Sequence, residues 1–88
     1  VSGSLKSVDE DDEEIKVGSK TYTLARKAEF QYVIGMSADK DDYKKSYDDD
    51  VEGLAEFLED CEDADDDCVV YLTLDKDNDV AWIKAVAK

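Results

Sequence analysis

The sequence predicts an α+β fold: a small, mostly antiparallel sheet in the order β-β-β-α-β-β, with one amphipathic helix packed on one face. Three observations carry that expectation. Residues 29–36 alternate Phe30, Tyr32, Ile34 and Met36 with Glu29, Gln31, Val33 and Gly35, the period of two that turns one strand face towards a core. Residues 50–63 instead place Val51, Leu54, Ala55, Leu58 and Cys61 on one helical stripe, which Phe57 widens. Residues 69–74 are rich in β-forming side chains and put Val70, Leu72 and Leu74 on one face.

Taken in order, residues 1–12 are almost free of apolar side chains and end in Asp9-Glu10-Asp11-Asp12. Mutual repulsion with nothing to bury predicts a disordered acidic lead-in or linker, followed by a single α+β domain over 13–88. The chain opens on Val1-Ser2-Gly3-Ser4, read here as a trimmed, processed or linker-derived start. Ile15 and Val17, then Gly18-Ser19, then Thr21-Tyr22-Thr23-Leu24 form the pattern of a hairpin around a glycine-first turn of the II′ kind. Ala25-Arg26-Lys27-Ala28 fits a continued strand, a bend or a helical turn. Residues 39–50 are polar and read as a loop or a first helical turn.

For the helix, Asp49 is the expected cap and Glu52, three residues on, completes a capping box. Glu59, Asp60, Glu62 and Asp63 oppose the helix dipole, so the last turn is expected to be weak. Asp75-Lys76-Asp77-Asn78-Asp79 is turn material. The final strand alternates Val80, Trp82, Lys84 and Val86 with Ala81, Ile83, Ala85 and Ala87. No proline interrupts any element.

Charge is the dominant compositional feature. The chain has 88 residues, 25 Asp plus Glu and 11 Lys plus Arg, a net charge of −14. Residues 31–88 hold 18 of those acids against 6 cationic groups, so the excess lies where the folded elements are expected. Such a field opposes direct binding of nucleic acid or anionic membranes and draws in basic partners. Colloidal solubility and a halophilic surface also produce acidic chains; the ten lysines weigh against the second. No apolar run approaches the roughly 20 residues of a spanning helix. Localisation is left open, with an intracellular setting favoured.

Enzymatic readings are poor. The chain has no histidine, which removes Ser-His-Asp and Cys-His arrangements, and its four glycines are scattered rather than forming a phosphate cradle. Cys61 and Cys68 are too few for a structural zinc site; a disulfide between them and two free apolar thiols both remain open. Asp75, Asp77 and Asp79 imitate the start of an EF-hand loop, but Val80 and Val86 stand where glycine and glutamate are needed. No cofactor and no metal ligand set is expected, beyond loose divalent-cation (calcium) binding by Asp48-Asp49-Asp50 or Asp65-Asp66-Asp67.

Residues 28–86 resemble the middle of actin-depolymerising-factor homology domains in strand–helix–strand order and in the run Asp67-Cys68-Val69-Val70-Tyr71. Neither the leading helix nor the long basic actin-contacting helix of that family is present. The resemblance therefore carries no functional assignment.

The expectation is a non-enzymatic acidic domain that engages a basic protein surface. The narrower alternative is a nucleic-acid mimic that occupies a basic cleft. The expected partner-binding residues are Glu52, Glu56, Glu59, Asp60 and Asp63 on the helix, Asp65 and Asp66 in the following turn, and Tyr43 and Tyr47 as interface anchors or as a lid folded over the helix.

Overall fold

A computed structural model describes all of residues 1–88. Five strands, β1 (Ser2–Asp9), β2 (Glu14–Val17), β3 (Lys20–Ile34), β4 (Cys68–Leu74) and β5 (Val80–Ala87), close into a barrel in the order β1-β2-β3-β5-β4. The helix α1 (Val51–Asp63) lies in the connection from β3 to β4. Strand β4 returns to pair with β1, so β4-β1-β2-β3 is a Greek key.

The expected open sheet with a helix laid across it is thus corrected to a closed barrel, and the segment that closes it is the one expected to be disordered. Residues 2–4 of β1 pair with β4 and residues 5–9 pair with β2. Only Leu5 of β1 is buried. The strand is held by ladder hydrogen bonds on both edges, which leave no apolar signature in a sequence. The acidic run does not fray. Asp9 Oδ1 accepts from the Asp11 and Asp12 amides at 3.1 and 3.2 Å, and Glu13 turns the chain at φ 52°.

The hairpin expected at Gly18-Ser19 joins β2 to β3, with Gly18 at φ 61° and Ser19 not on the positive side. The two separate strands expected on either side of residues 25–28 are one bent strand. From Leu24 to Glu29 five steps of β3 stand against two steps of β5, from Val80 to Trp82, so Ala25-Arg26-Lys27-Ala28 is a bulge that swings the strand from one half of the barrel to the other. Beyond it, β3 runs parallel to β5, the one parallel pair in the barrel. Phe30, Tyr32 and Ile34 oppose Ile83, Ala85 and Ala87, while Met36 lies past the strand end and is fully exposed.

Ile15, Val17, Leu24, Val70, Leu72, Val80 and Ile83 fill the barrel, and α1 joins the same core with Leu54, Phe57, Leu58 and Cys61. Full burial of a side chain such as Phe57 or Leu54 contributes about 1.5–3 kcal/mol. The helix cap is Asp50 rather than Asp49: its side chain accepts from the Gly53 amide at 2.8 Å. The third helical position is therefore Gly53, and the expected capping box with Glu52 does not form. A Cβ at Gly53 would stand 2.0 Å from the Asp48 carbonyl oxygen, so the chain entering the helix passes where only glycine leaves room. At the other end, the Asp66 amide donates to Cys61 O at 2.8 Å and the Asp65 amide to Glu62 O at 3.1 Å, with Asp65 at φ 61°. This is a Schellman cap with aspartate in the place glycine prefers, and it stops the helix despite its acidic last turn.

Candidate functional site

The loop from β3 into α1 carries Tyr43 and Tyr47 down onto the helix, so of the two expected arrangements the structure has the folded lid. Phe57, fully buried, sits among three tyrosine rings, with centroid separations of 5.2 Å to Tyr32, 5.7 Å to Tyr43 and 5.1 Å to Tyr47. Tyr32 and Tyr47 are 5.3 Å apart. Tilted and edge-on aromatic pairs of this kind contribute about 0.5–1.5 kcal/mol each beyond their buried area.

Each hydroxyl is tied to an acidic segment. Tyr43 Oη donates to Asp66 Oδ2 at 2.5 Å, Tyr47 Oη to Asp60 Oδ2 at 2.6 Å, and Tyr32 Oη to the Asp48 carbonyl at 2.8 Å. Burial, reinforced by these carboxylates, pushes all three phenols well above their ordinary range; for Tyr32 the charges of Asp49, Asp50 and Asp48 follow burial as the cause. The three are neutral donors across the physiological range.

These bonds sort the expected contact residues. Tyr43 is buried, with 9% of its surface exposed. Asp60 and Asp66 are half-buried acceptors of tyrosine hydroxyls. Glu56 pairs with Lys44 at 2.9 Å, and the Lys44 ammonium also lies 5.9 Å from the Tyr47 ring centroid. Glu52, Glu59, Asp63 and Asp65 are exposed and make no side-chain hydrogen bond or ion pair. They run along the outer face of α1 and into the turn after it. Lys44–Glu56 is the only salt bridge in a chain of 25 acids and 11 bases.

A cleft of about 350 Å3 opens beside this cluster, with Phe30, Tyr32, Ile34, Tyr47 and Phe57 as its apolar lining. Lys45 and Asp49 stand at its polar rim and form no ion pair with each other. Sequence reading missed this cleft. Its two walls are 11 or more residues apart in the chain, and the alternation of Phe30, Tyr32 and Ile34 reads equally well as ordinary core.

Some of the remaining acidic groups are turn architecture. Asp75 Oδ1 accepts from the Asp77 and Asp79 amides at 2.8 and 3.0 Å, which fixes the β4–β5 turn. Carboxylate oxygens of Asp9, Asp12 and Glu14 come within 4.8 Å of one another at the β1–β2 turn, where Asp9 already accepts two backbone amides. Cys61 and Cys68 are free, buried thiols on the helix end and the start of β4. Contact with Cys68 lowers the Cys61 thiol, and the reciprocal contact together with burial pushes Cys68 far up.

No protein family, curated protein or solved structure matches this chain. The β1–β2 and β4–β5 turns, Glu10-Asp11-Asp12-Glu13 and Asp75-Lys76-Asp77-Asn78-Asp79, are both acidic.

Proposed function

We propose that this barrel is a non-enzymatic interaction domain that engages a basic protein surface through the outer face of α1 and the turn behind it. The observation that supports the reading is the unneutralised ridge of Glu52, Glu59, Asp63 and Asp65. A chain with 11 cationic groups has enough of them to pair these four, yet its one salt bridge is elsewhere. Exposed carboxylates with no internal partner attract Lys and Arg at long range and set association rate more than final affinity. The absence of histidine and the aromatic character of the cleft favour binding over catalysis.

Nucleic-acid mimicry is the weaker form of the same idea. From Glu52 to Asp63 a helix advances about 16 Å, and with Glu56 and Glu59 that span offers four carboxylates. A nucleic-acid strand places one phosphate per roughly 3.4 Å of axis, so the ridge is too sparse to copy it closely.

The test uses poly-lysine as a basic probe, titrated calorimetrically at about 0.05 and 0.5 M salt. Binding is expected at low salt and to fall steeply at high salt. Replacing Glu52, Glu59, Asp63 and Asp65 by their amides is expected to weaken it about tenfold, from four exposed pairs of about 0.35 kcal/mol each. The same number of amide replacements at Asp11, Asp12, Asp75 and Asp77 is expected to do less. Equal losses from the two sets would reduce the surface to undirected charge and overturn the assignment.

A further inference from the structure

The aromatic cleft has features that a general acidic surface does not require. The half-buried Tyr32 and Tyr47 rings, 5.3 Å apart, wall the cleft, and the fully buried Phe57 ring packs behind them at 5.2 and 5.1 Å. Asp48, Asp49 and Asp50 converge on this place closely enough that their charges help to hold the Tyr32 phenol protonated. The Asp49 carboxylate at the rim has no hydrogen-bond or ionic partner, while Asp48 and Asp50 contribute a backbone acceptor and the helix cap. The chain's own Lys44 ammonium, paired with Glu56, also lies 5.9 Å from the Tyr47 ring centroid. Faces of aromatic rings attract cations, and a nearby unpaired carboxylate adds to the attraction.

One side of the cleft is a strand edge. Strand β3 pairs with β2 only as far as Thr23, and from Glu29 to Ile34 it pairs with β5 alone, so no strand occupies its other edge along Phe30, Gln31, Tyr32 and Ile34. An edge of this kind can accept an extended peptide as an added strand. The volume, about 350 Å3, is at the small end for ligand pockets and fits one long side chain better than a drug-sized molecule.

We propose that this cleft takes one lysine or arginine side chain from an extended basic peptide lying along the free edge of β3, with the Tyr32 and Tyr47 rings against its cationic end and Asp49 as its counter-charge. The inference rests on the reading of the domain as a binder of basic partners and names where that partner is anchored. Lys45 at the rim opposes any cation there, so the single counter-charge of Asp49 holds at most one and the ridge on α1 meets the others.

The experiment titrates isotope-labelled protein with a short synthetic peptide that alternates lysine with threonine, and with its counterpart in which the central lysine is norleucine. The lysine peptide is expected to shift the ring resonances of Tyr32 and Tyr47 and to slow amide exchange along residues 29–34. Norleucine at the central position is expected to weaken binding. Tyr47→Leu is expected to weaken the lysine peptide by about 3- to 30-fold, and Asp49→Asn, which disturbs no internal bond, by about threefold. Tyr47→Phe keeps the ring and retains most of the affinity, which separates the ring contact from the Asp60 hydrogen bond. Equal binding of the norleucine peptide, or an unchanged Kd in both Tyr47→Leu and Asp49→Asn, overturns the proposal. Should affinity depend on the α1 ridge while ignoring those variants, the interaction domain stands and the cleft does not. No binding of the lysine peptide at low salt overturns both.

Discussion

Gly53→Ala is a substitution whose sign depends on the tertiary structure. Inside a helix the change is ordinarily favourable by about 1 kcal/mol, because alanine loses less backbone freedom on folding. Here the new Cβ would meet Asp48 O at 2.0 Å, Asp48 N at 2.7 Å and Asp48 C at 2.8 Å, all backbone atoms that have no rotamer to retreat into. Reaching ordinary contact near 3.4 Å requires the segment to withdraw by about 1.4 Å. That segment carries the acceptor for Tyr32 Oη at 2.8 Å and leads into the Asp50 cap, also at 2.8 Å. Overpacking of this kind costs about 1–3 kcal/mol, and a strained hydrogen bond adds about 1 kcal/mol. After the propensity gain is subtracted, the expected loss is about 2 kcal/mol, a fall in melting temperature of roughly 8–16 °C for a domain of this size. Urea unfolding followed by Trp82 fluorescence measures it, and the Tyr32 ring resonances are expected to move. A variant that melts at or above the parent temperature would refute the close passage of Asp48 over α1.

Asp65→Gly relieves the left-handed conformation at φ 61° and removes a negative charge from the negative end of the helix dipole, so a gain of about 1 kcal/mol is expected in the same unfolding assay. Tyr32, Tyr43 and Tyr47 have folded-state pKa values raised above the ordinary 10.0, so the folded chain binds more protons than the unfolded one above that pH. Their stability contribution is complete below about pH 10 and declines as pH rises further; alkaline unfolding should show a shallower slope in Tyr47→Phe. With a charge of −14 and one salt bridge, added sodium chloride screens repulsion and is expected to raise the melting temperature between about 0.02 and 0.5 M. A flat or falling response would show that the acids do not destabilise one another.

Much of the secondary structure follows from local pattern. The Val51 to Cys61 stripe, the glycine-first turn at Gly18 and the Val70–Leu72 face all reflect periodicities of 3.6 or 2 that burial imposes on neighbouring residues. The acidity of the surface was legible from composition. The acidic helix ridge was legible too, because Glu52, Glu56, Glu59 and Asp63 recur at three- and four-residue steps. The sequence could not reveal which of those acids were free, since that depends on Lys44 and two tyrosines arriving from another segment.

The acidic charge and the elements that display it were determined by the sequence itself, because charge and hydrophobic period are properties of residues and their near neighbours. Closure of the barrel was decided only in three dimensions. Strand β1 has one buried side chain, Leu5, and its place is set by backbone hydrogen bonds to β2 and β4, whose donors and acceptors are the same for every sequence. The aromatic cleft belongs to the same class: it exists because the bend at Ala25–Ala28 aims the second half of β3 past α1, bringing Tyr32 to Tyr47 and Phe57 across the fold.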